Sequence, residues 1–210
     1  MIEAMDYGLQ FLILTVCGIY SGAQAAGHLD RGWLILAFAY FCYALGDLYW
    51  LLCVTFDGHI PRISYISEIS WFASMIFLCL LLRELQAGSV PMRRWQVWIP
   101  PLIASAACLY FFRWGDYFTT LLDALLMGRL GYLAIKGLLS GGGGAYQLDR
   151  KPVRQLHLLL AAFFIEEYAL WMSSCIWRTE SPANPYYWID LVLTVTLVLL
   201  IFGYRKAAAK

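Results

Sequence analysis

Long apolar runs separated by short polar segments are the dominant pattern along this chain. A transmembrane helix needs about 20 mostly apolar residues. Because only short segments separate the runs, the pattern predicts an all-α polytopic membrane protein, a bundle of seven transmembrane helices forming a single domain over residues 1–210. Pro100 and Pro101, early in the fourth run, predict an irregular start to that helix. The seven runs span residues 8–26, 32–54, 65–83, 95–112, 117–139, 155–177 and 186–204.

Composition strengthens this interpretation. Hydrophobic residues make up 61% of the chain and charged residues 14%, whereas a soluble domain has about 25% charged residues. Membrane lipids are therefore expected partners, and we expect a multi-pass protein of the cell (inner or cytoplasmic) membrane. The net charge of +1 does not indicate a nucleic-acid partner. The six cysteines form no C-x-x-C pair and are interpreted as small buried side chains, so neither a metal nor a cofactor is expected.

The basic residues are distributed unevenly between the two sides of the predicted bundle. With the N-terminus outside, ten lysines and arginines fall on the inner side and three on the outer side. Inner loops of membrane proteins carry the excess of basic residues. The chain is therefore predicted to have its N-terminus outside and its C-terminus in the cytoplasm. The other two basic residues, Arg129 and Lys136, lie within the fifth run.

Acidic residues lie inside the apolar runs, where each ionised group costs roughly 2.5–3.5 kcal/mol at the centre of a membrane. Counted from the outer end of each run, all of them lie in the outer half or near the midplane. We therefore expect a polar cavity that opens outward. The residues that indicate it are Asp47, Glu68, Asp123, Glu166, Glu167 and Asp190.

Aromatic residues accompany several of these acids at helical spacing. Residues three, four or seven positions apart share one face of a helix. Carboxylates beside aromatic rings suit an organic cation, which they bind by charge pairing and by cation–π contact. The groups that share a face in this way are Tyr43 and Trp50 with Asp47, Trp71 with Glu68, and Trp171 with Glu167.

Glu166 and Glu167 are expected to form the floor of this cavity. Adjacent residues on a helix point about 100° apart, so at most one of the two faces the bundle axis, and Glu167 is preferred. Arg129, counted as lying at the same depth in its run, is interpreted as the counter-ion of Glu166 or Glu167. With so many acids, the cavity is expected to be anionic or to hold several protonated carboxyl groups.

Several enzyme and receptor classes lack their required residues. The histidines lie at the ends of runs or in loops, so they cannot form the cluster of the seven-span zinc hydrolases. The seventh run contains no lysine for a retinal Schiff base. No G-x-S-x-G motif occurs either, so an intramembrane serine hydrolase is not indicated. The three histidines are His28, His59 and His157.

The segments YALGDLYWLL and ISYISEISWFASMIFLCLLL resemble the multi-span N-terminal sensor domains of bacterial signalling proteins. The resemblance covers roughly residues 40–83. It implies a receptor that binds a small ligand. Because no kinase or cyclase domain follows Tyr204, it also implies a separate cytoplasmic signalling partner. The favoured prediction is thus a receptor-like protein, not an enzyme, with a cationic or hydroxyl-rich ligand in the acidic, aromatic-lined cavity.

Two other functions remain open. The Gly46-Asp47 pair and Asp190 are similar to the lysoplasmalogenase-type membrane hydrolases, which implies that Asp47 and Asp190 would hydrolyse a lipid-like substrate. That family has eight spans, one more than the runs counted here. The acids near the midplane would also suit a proton- or cation-coupled transporter, although the chain shows no convincing internal repeat.

Overall fold

A computed structural model describes residues 2–57, 65–86, 94–140, 150–177 and 181–208. Within these ranges the secondary structure is helical and contains no strand, which confirms the all-α prediction. A π-helical segment, Cys53–Asp57, continues the second helix, and a 3-10 helix, Trp95–Trp98, precedes the fourth. The α-helices are α1 (Ile2–His28), α2 (Arg31–Leu52), α3 (Tyr65–Leu85), α4 (Ile99–Phe111), α5 (Tyr117–Ser140), α6 (Arg150–Ile176) and α7 (Pro185–Ala208).

Six of these helices are long and apolar enough to cross a membrane, namely α1, α2, α3, α5, α6 and α7. The 3-10 helix and α4 together form a shorter apolar segment, Trp95–Phe111. The chain therefore has the helix lengths and composition of a multi-pass membrane protein. The predicted fourth span differs from the others because its α-helical part has only 13 residues.

The short helix α4 begins at the two prolines that predicted an irregular start. Pro100 and Pro101 occupy its first turn, where backbone N–H groups have no partner within the helix, so the prolines remove no hydrogen bond. They pack on α5 at Gly128 and Gly131. A Cβ atom at Gly131 would lie 2.5 Å from Pro100 Cβ, so glycine is needed for this close approach.

The six long helices close into a ring in which each helix packs against two neighbours. The order around the ring is α1, α2, α3, α5, α6 and α7, and α7 returns to α1. Helix α4 lies beside the ring and packs mainly on α5. Each long helix contributes a leucine with 0% exposure to the core: Leu14, Leu36, Leu81, Leu130, Leu160 and Leu193.

Helices α3 and α5 run in the same direction but are offset along the ring axis. Gln86, directly after α3, donates from Nε2 to the carbonyl oxygen of Leu133 at 2.6 Å. Helix α3 thus ends level with Leu133, whereas α5 continues to Ser140. Arg129 lies only about 6 Å along α5 from that level. Arg129 is therefore closer to the end of α3 than its central position within α5 indicates, and its depth in the membrane stays a prediction.

Candidate ligand-binding cavity

A cavity of about 510 Å³ lies inside the ring, at the end that carries the N-terminal turn of α1. Each of the six long helices contributes to its lining. Its volume falls within the range of about 300–1,000 Å³ that is typical of small-molecule sites. The described lining residues include no lysine, arginine or histidine, but they include five acids: Glu3, Glu68, Asp123, Glu167 and Asp190.

Aromatic rings form one wall of this cavity. The ring of Trp50 lies 5.6 Å from that of Tyr7 and 6.1 Å from that of Trp71, measured between centroids. Tyr43 lies 6.3 Å from Trp71 in the same way. The tilted geometry of these pairs is favourable for aromatic packing. The negative faces of such rings can also contact a bound cation.

Two of the lining glutamates each accept a hydrogen bond from a neutral donor. Trp50 donates from Nε1 to Glu3 Oε1 at 3.0 Å, and the Tyr43 hydroxyl donates to Glu167 Oε1 at 3.0 Å. These bonds fix the direction of each carboxyl group but bring no positive charge to it. The cavity therefore keeps its acidic character after its internal hydrogen bonds are made.

Asp190 on α7 is held by Gln10 of α1 and lies beside a carboxyl group of α1, that of Asp6. Gln10 donates from Nε2 to Asp190 Oδ1 at 3.1 Å and to Thr194 Oγ1 at 2.9 Å. The Asp6 and Asp190 carboxyl groups are neighbours that influence each other electrostatically, and Oδ2 of each has no donor among the described residues. Two ionised carboxylates are both acceptors, so a hydrogen bond between them requires one shared proton. Asp6 and Asp190 thus form a carboxyl pair at the edge of the cavity.

Asp47 lies behind the aromatic wall and not in the lining, which corrects its predicted position. It is 0% exposed, and its Oδ1 accepts a hydrogen bond from Trp71 Nε1 at 3.1 Å. Gly46 makes room for this contact, because a Cβ atom there would lie 2.5 Å from Trp71 Nε1. Asp47 therefore positions Trp71 and does not face the cavity.

Most of the predicted site residues meet in this one cavity. Four acids from four different helices and four aromatic residues line it together. Whether they bind a ligand remains a prediction. The eight predicted residues in the lining are Tyr43, Trp50, Glu68, Trp71, Asp123, Glu167, Trp171 and Asp190.

Glu166 is turned away from the cavity toward α7. Its Oε1 accepts a hydrogen bond from Thr196 Oγ1 at 2.9 Å, whereas the neighbouring Glu167 lines the cavity. This divergence follows from the angle of about 100° between successive side chains on a helix. The preference for Glu167 agrees with the structure, and the placement of Glu166 in the cavity was wrong.

Arg129 is exposed on the outside of the ring and is not the counter-ion of the glutamates. Its guanidinium carbon lies 5.8 Å from the centroid of the Tyr132 ring. The inward face of α5 is formed by other residues, including Asp123, Met127 and Leu130. Hydroxyl groups, and not Arg129, donate to Glu166 and Glu167. The predicted ion pair was wrong because Arg129 lies on the opposite face of α5.

The contribution of α1 was missed from the sequence. The first run was taken to begin at residue 8, whereas α1 begins at Ile2. The extra turns bring Glu3, Asp6 and Tyr7 to the level of the cavity. A signal was present, since Glu3, Tyr7 and Gln10 follow the spacing i, i+4, i+7 of one helix face.

The described part of the chain contains no arrangement of side chains that suits metal binding or thiol chemistry. No group of three or more His, Cys, Asp or Glu side chains there could hold a metal ion. The six cysteines are all free, and three of them are buried. The acids of the cavity are thus distributed around a space of molecular size and do not converge on one point.

Comparison with known proteins adds no functional information. No protein-family model matches the chain, and no curated protein or solved structure is detectably similar to it. The resemblances carried by residues 40–83 and by Asp47 with Asp190 therefore stay predictions.

Proposed function

We propose that this protein is a receptor-like membrane protein that binds a small organic cation in the cavity. The observation that carries the proposal is the charge of the lining, which has five acids and no basic side chain among its described residues. A buried charge is costly unless it is paired. A cationic ligand would supply that pairing, and the tryptophan and tyrosine rings would add cation–π contact.

The size and lining of the cavity favour an amine that has an apolar body. A volume of about 510 Å³ is much larger than a metal ion needs. The faces of Trp50 and Trp71 offer apolar surface, and Phe72 and Met75 extend it. A protonated amine with a ring or a branched alkyl group would therefore contact both the carboxylates and the aromatic wall.

We further infer seven membrane crossings with the N-terminus outside. Helices α3 and α5 both begin near the cavity, which supports a return of the chain between them, and α4 is the described segment that would make it. The excess of basic residues predicted for the other side supports this orientation. The cavity would then face the exterior of the cell membrane. The basic cytoplasmic surface would be available to a separate signalling partner.

A proton-coupled carrier is the second candidate, and the Asp6–Asp190 carboxyl pair favours it. A carrier must also open at the opposite end of the ring. There Gln86 Nε2 lies 3.1 Å from His157 Nε2, and the Tyr204 hydroxyl donates to Asp30 at 2.9 Å. These contacts, one buried and one partly buried, join helices at that end of the ring. Binding without transport is therefore the better supported function.

The test is a thermal-shift titration of the purified protein in detergent, with protonated amines compared against neutral analogues of the same shape. The amine is expected to raise the melting temperature of wild type and to lose most of that effect in Glu167→Gln. Glu166→Gln is the matched control, since Glu166 is adjacent but turned away from the cavity. An equal response to the neutral analogue, or an unchanged response in Glu167→Gln, would contradict the proposal.

A further inference from the structure

Arg129 is exposed on the outer face of the helix ring. A charged side chain within a transmembrane segment almost always faces the bundle interior or pairs with another group. Arg129 instead lies on the outer face of α5, where it contacts the ring of Tyr132 and is near Cys79 of α3. The contact with Tyr132 occupies one face of the guanidinium plane. The N–H groups at the edge of the plane remain directed to the surroundings.

The position of Arg129 along the bundle axis indicates which part of the membrane surrounds it. Gln86, at the end of α3, is bonded to Leu133, and Trp98 packs on Tyr132 with ring centroids 5.4 Å apart. Helix α3 therefore ends, and the 3-10 helix begins, within about two turns of Arg129. Helix ends and tryptophan side chains are typical of the headgroup region of a membrane. Arg129 thus lies close to the headgroups at the end of the ring opposite the cavity.

Other basic and aromatic residues surround Arg129 at this level. Lys136 follows Arg129 by seven residues and shares its face of α5, with Tyr132 between them. Trp98 is 60% exposed beside Tyr132. Arg94, also exposed, precedes the 3-10 helix. We define these five residues, Arg94, Trp98, Arg129, Tyr132 and Lys136, as the α5 basic patch.

We propose that the α5 basic patch binds the phosphate group of an anionic phospholipid. A guanidinium group offers paired N–H donors that match phosphate oxygens. Basic pockets between transmembrane helices commonly bind anionic lipid headgroups. The acid of α3 at this level, Glu84, is adjacent to the basic Arg83, so the surface keeps its positive charge. The lipid would also cover the groove between α3 and α4 on the outside of α5.

The first measurement is native mass spectrometry of wild-type protein in mixed micelles containing equal amounts of phosphatidylglycerol and phosphatidylcholine. Retained adducts are expected to be predominantly phosphatidylglycerol. Equal retention of the two lipids would overturn the proposal without any variant. Competition with millimolar inorganic phosphate distinguishes the headgroup from a free anion, and complete displacement at that concentration would likewise overturn the lipid assignment.

The second measurement compares lipid affinity between variants. Arg129→Gln and Lys136→Gln are each expected to weaken phosphatidylglycerol binding about fivefold, since each basic group near an anionic surface contributes on that scale. Arg113→Gln is the matched control, because Arg113 is also exposed and lies 6.0 Å from a tyrosine ring, that of Tyr110. Unchanged binding in Arg129→Gln would overturn the proposal. If the same mass spectra show dimers of wild type that Arg129→Gln abolishes while lipid binding is intact, a second copy of the chain is the partner and the proposal is overturned.

Discussion

Tyr43 on α2 and Glu167 on α6 are joined across the cavity by a hydrogen bond of 3.0 Å. The two helices are not neighbours in the ring, so this bond links opposite walls through the interior. Tyr43 is also in contact with the ring of Phe163, at 6.5 Å between centroids, one turn earlier on α6. The floor of the cavity is thus fixed by a polar contact that is supported by aromatic packing.

Removal of this hydroxyl group by Tyr43→Phe is expected to destabilise the protein by about 1–3 kcal/mol, because a buried acceptor loses its donor. For a chain of this size that corresponds to a melting temperature roughly 2–4 °C lower for each kcal/mol. Tyr117→Phe is the control, since Tyr117 is 69% exposed. Thermal unfolding in the same detergent measures both variants. An equal melting temperature for the two would show that the Tyr43–Glu167 bond contributes little.

Gly46→Ala is expected to disrupt the aromatic wall. The new Cβ atom would lie 2.5 Å from Trp71 Nε1, so the indole must move and its hydrogen bond to Asp47 must break. Overpacking of this kind costs about 1–3 kcal/mol, and amine affinity should fall as Trp71 leaves its position.

Gly22→Ala in α1 is the matched control, because no atom lies within 4 Å of its added Cβ. That variant should be neutral or slightly stabilised. Tryptophan fluorescence with melting curves measures both effects, and wild-type behaviour of Gly46→Ala would contradict the geometry.

Much of the cavity could be predicted from two simple physical facts. Charged groups are rare in membrane helices, so each acid carried information about position. Helical spacing then grouped Trp50 with Tyr43 and Trp71 with Glu68 on shared faces. Both pairs line the cavity in the structure.

The remaining errors have a common physical origin, which is that depth and rotation are set by neighbouring helices. Arg129 was paired with Glu166 or Glu167 because the sequence cannot show how α5 is rotated against its neighbours, or that α5 extends beyond the end of α3. Asp47 shares a helix face with Trp50, yet the indole of Trp71 from another helix lies between it and the cavity. The first turns of α1 carry Glu3 and Asp6, which a hydropathy count excludes because they are charged.

Asp47→Asn distinguishes the receptor from the membrane hydrolase. The amide oxygen of asparagine can still accept the hydrogen bond from Trp71, so the aromatic wall and the amine affinity should be close to those of wild type. A hydrolase that used Asp47 and Asp190 would lose its activity. We expect wild-type protein to release no product from a membrane lipid extract, measured by mass spectrometry of the lipids. A product that wild type forms and Asp47→Asn does not would establish the hydrolase instead.

The Asp6–Asp190 pair gives a last prediction. It depends on which hydrogen-bond partners Asp190 keeps after each substitution of Asp6. In Asp6→Asn the amide N–H can donate permanently to the Asp190 carboxylate, so no shared proton is needed and stability should be retained. In Asp6→Ala the buried Asp190 keeps Gln10 as a donor but loses the neighbouring carboxyl group with which it would share a proton. The expected cost is about 1–3 kcal/mol. Melting curves compare the two variants, and equal stability would show that the pair is not bonded.

Uptake of a radiolabelled amine into proteoliposomes extends the test to function. A receptor should show no pH-driven uptake with either residue at position 6, whereas uptake by wild type that Asp6→Asn abolishes would establish the proton-coupled carrier.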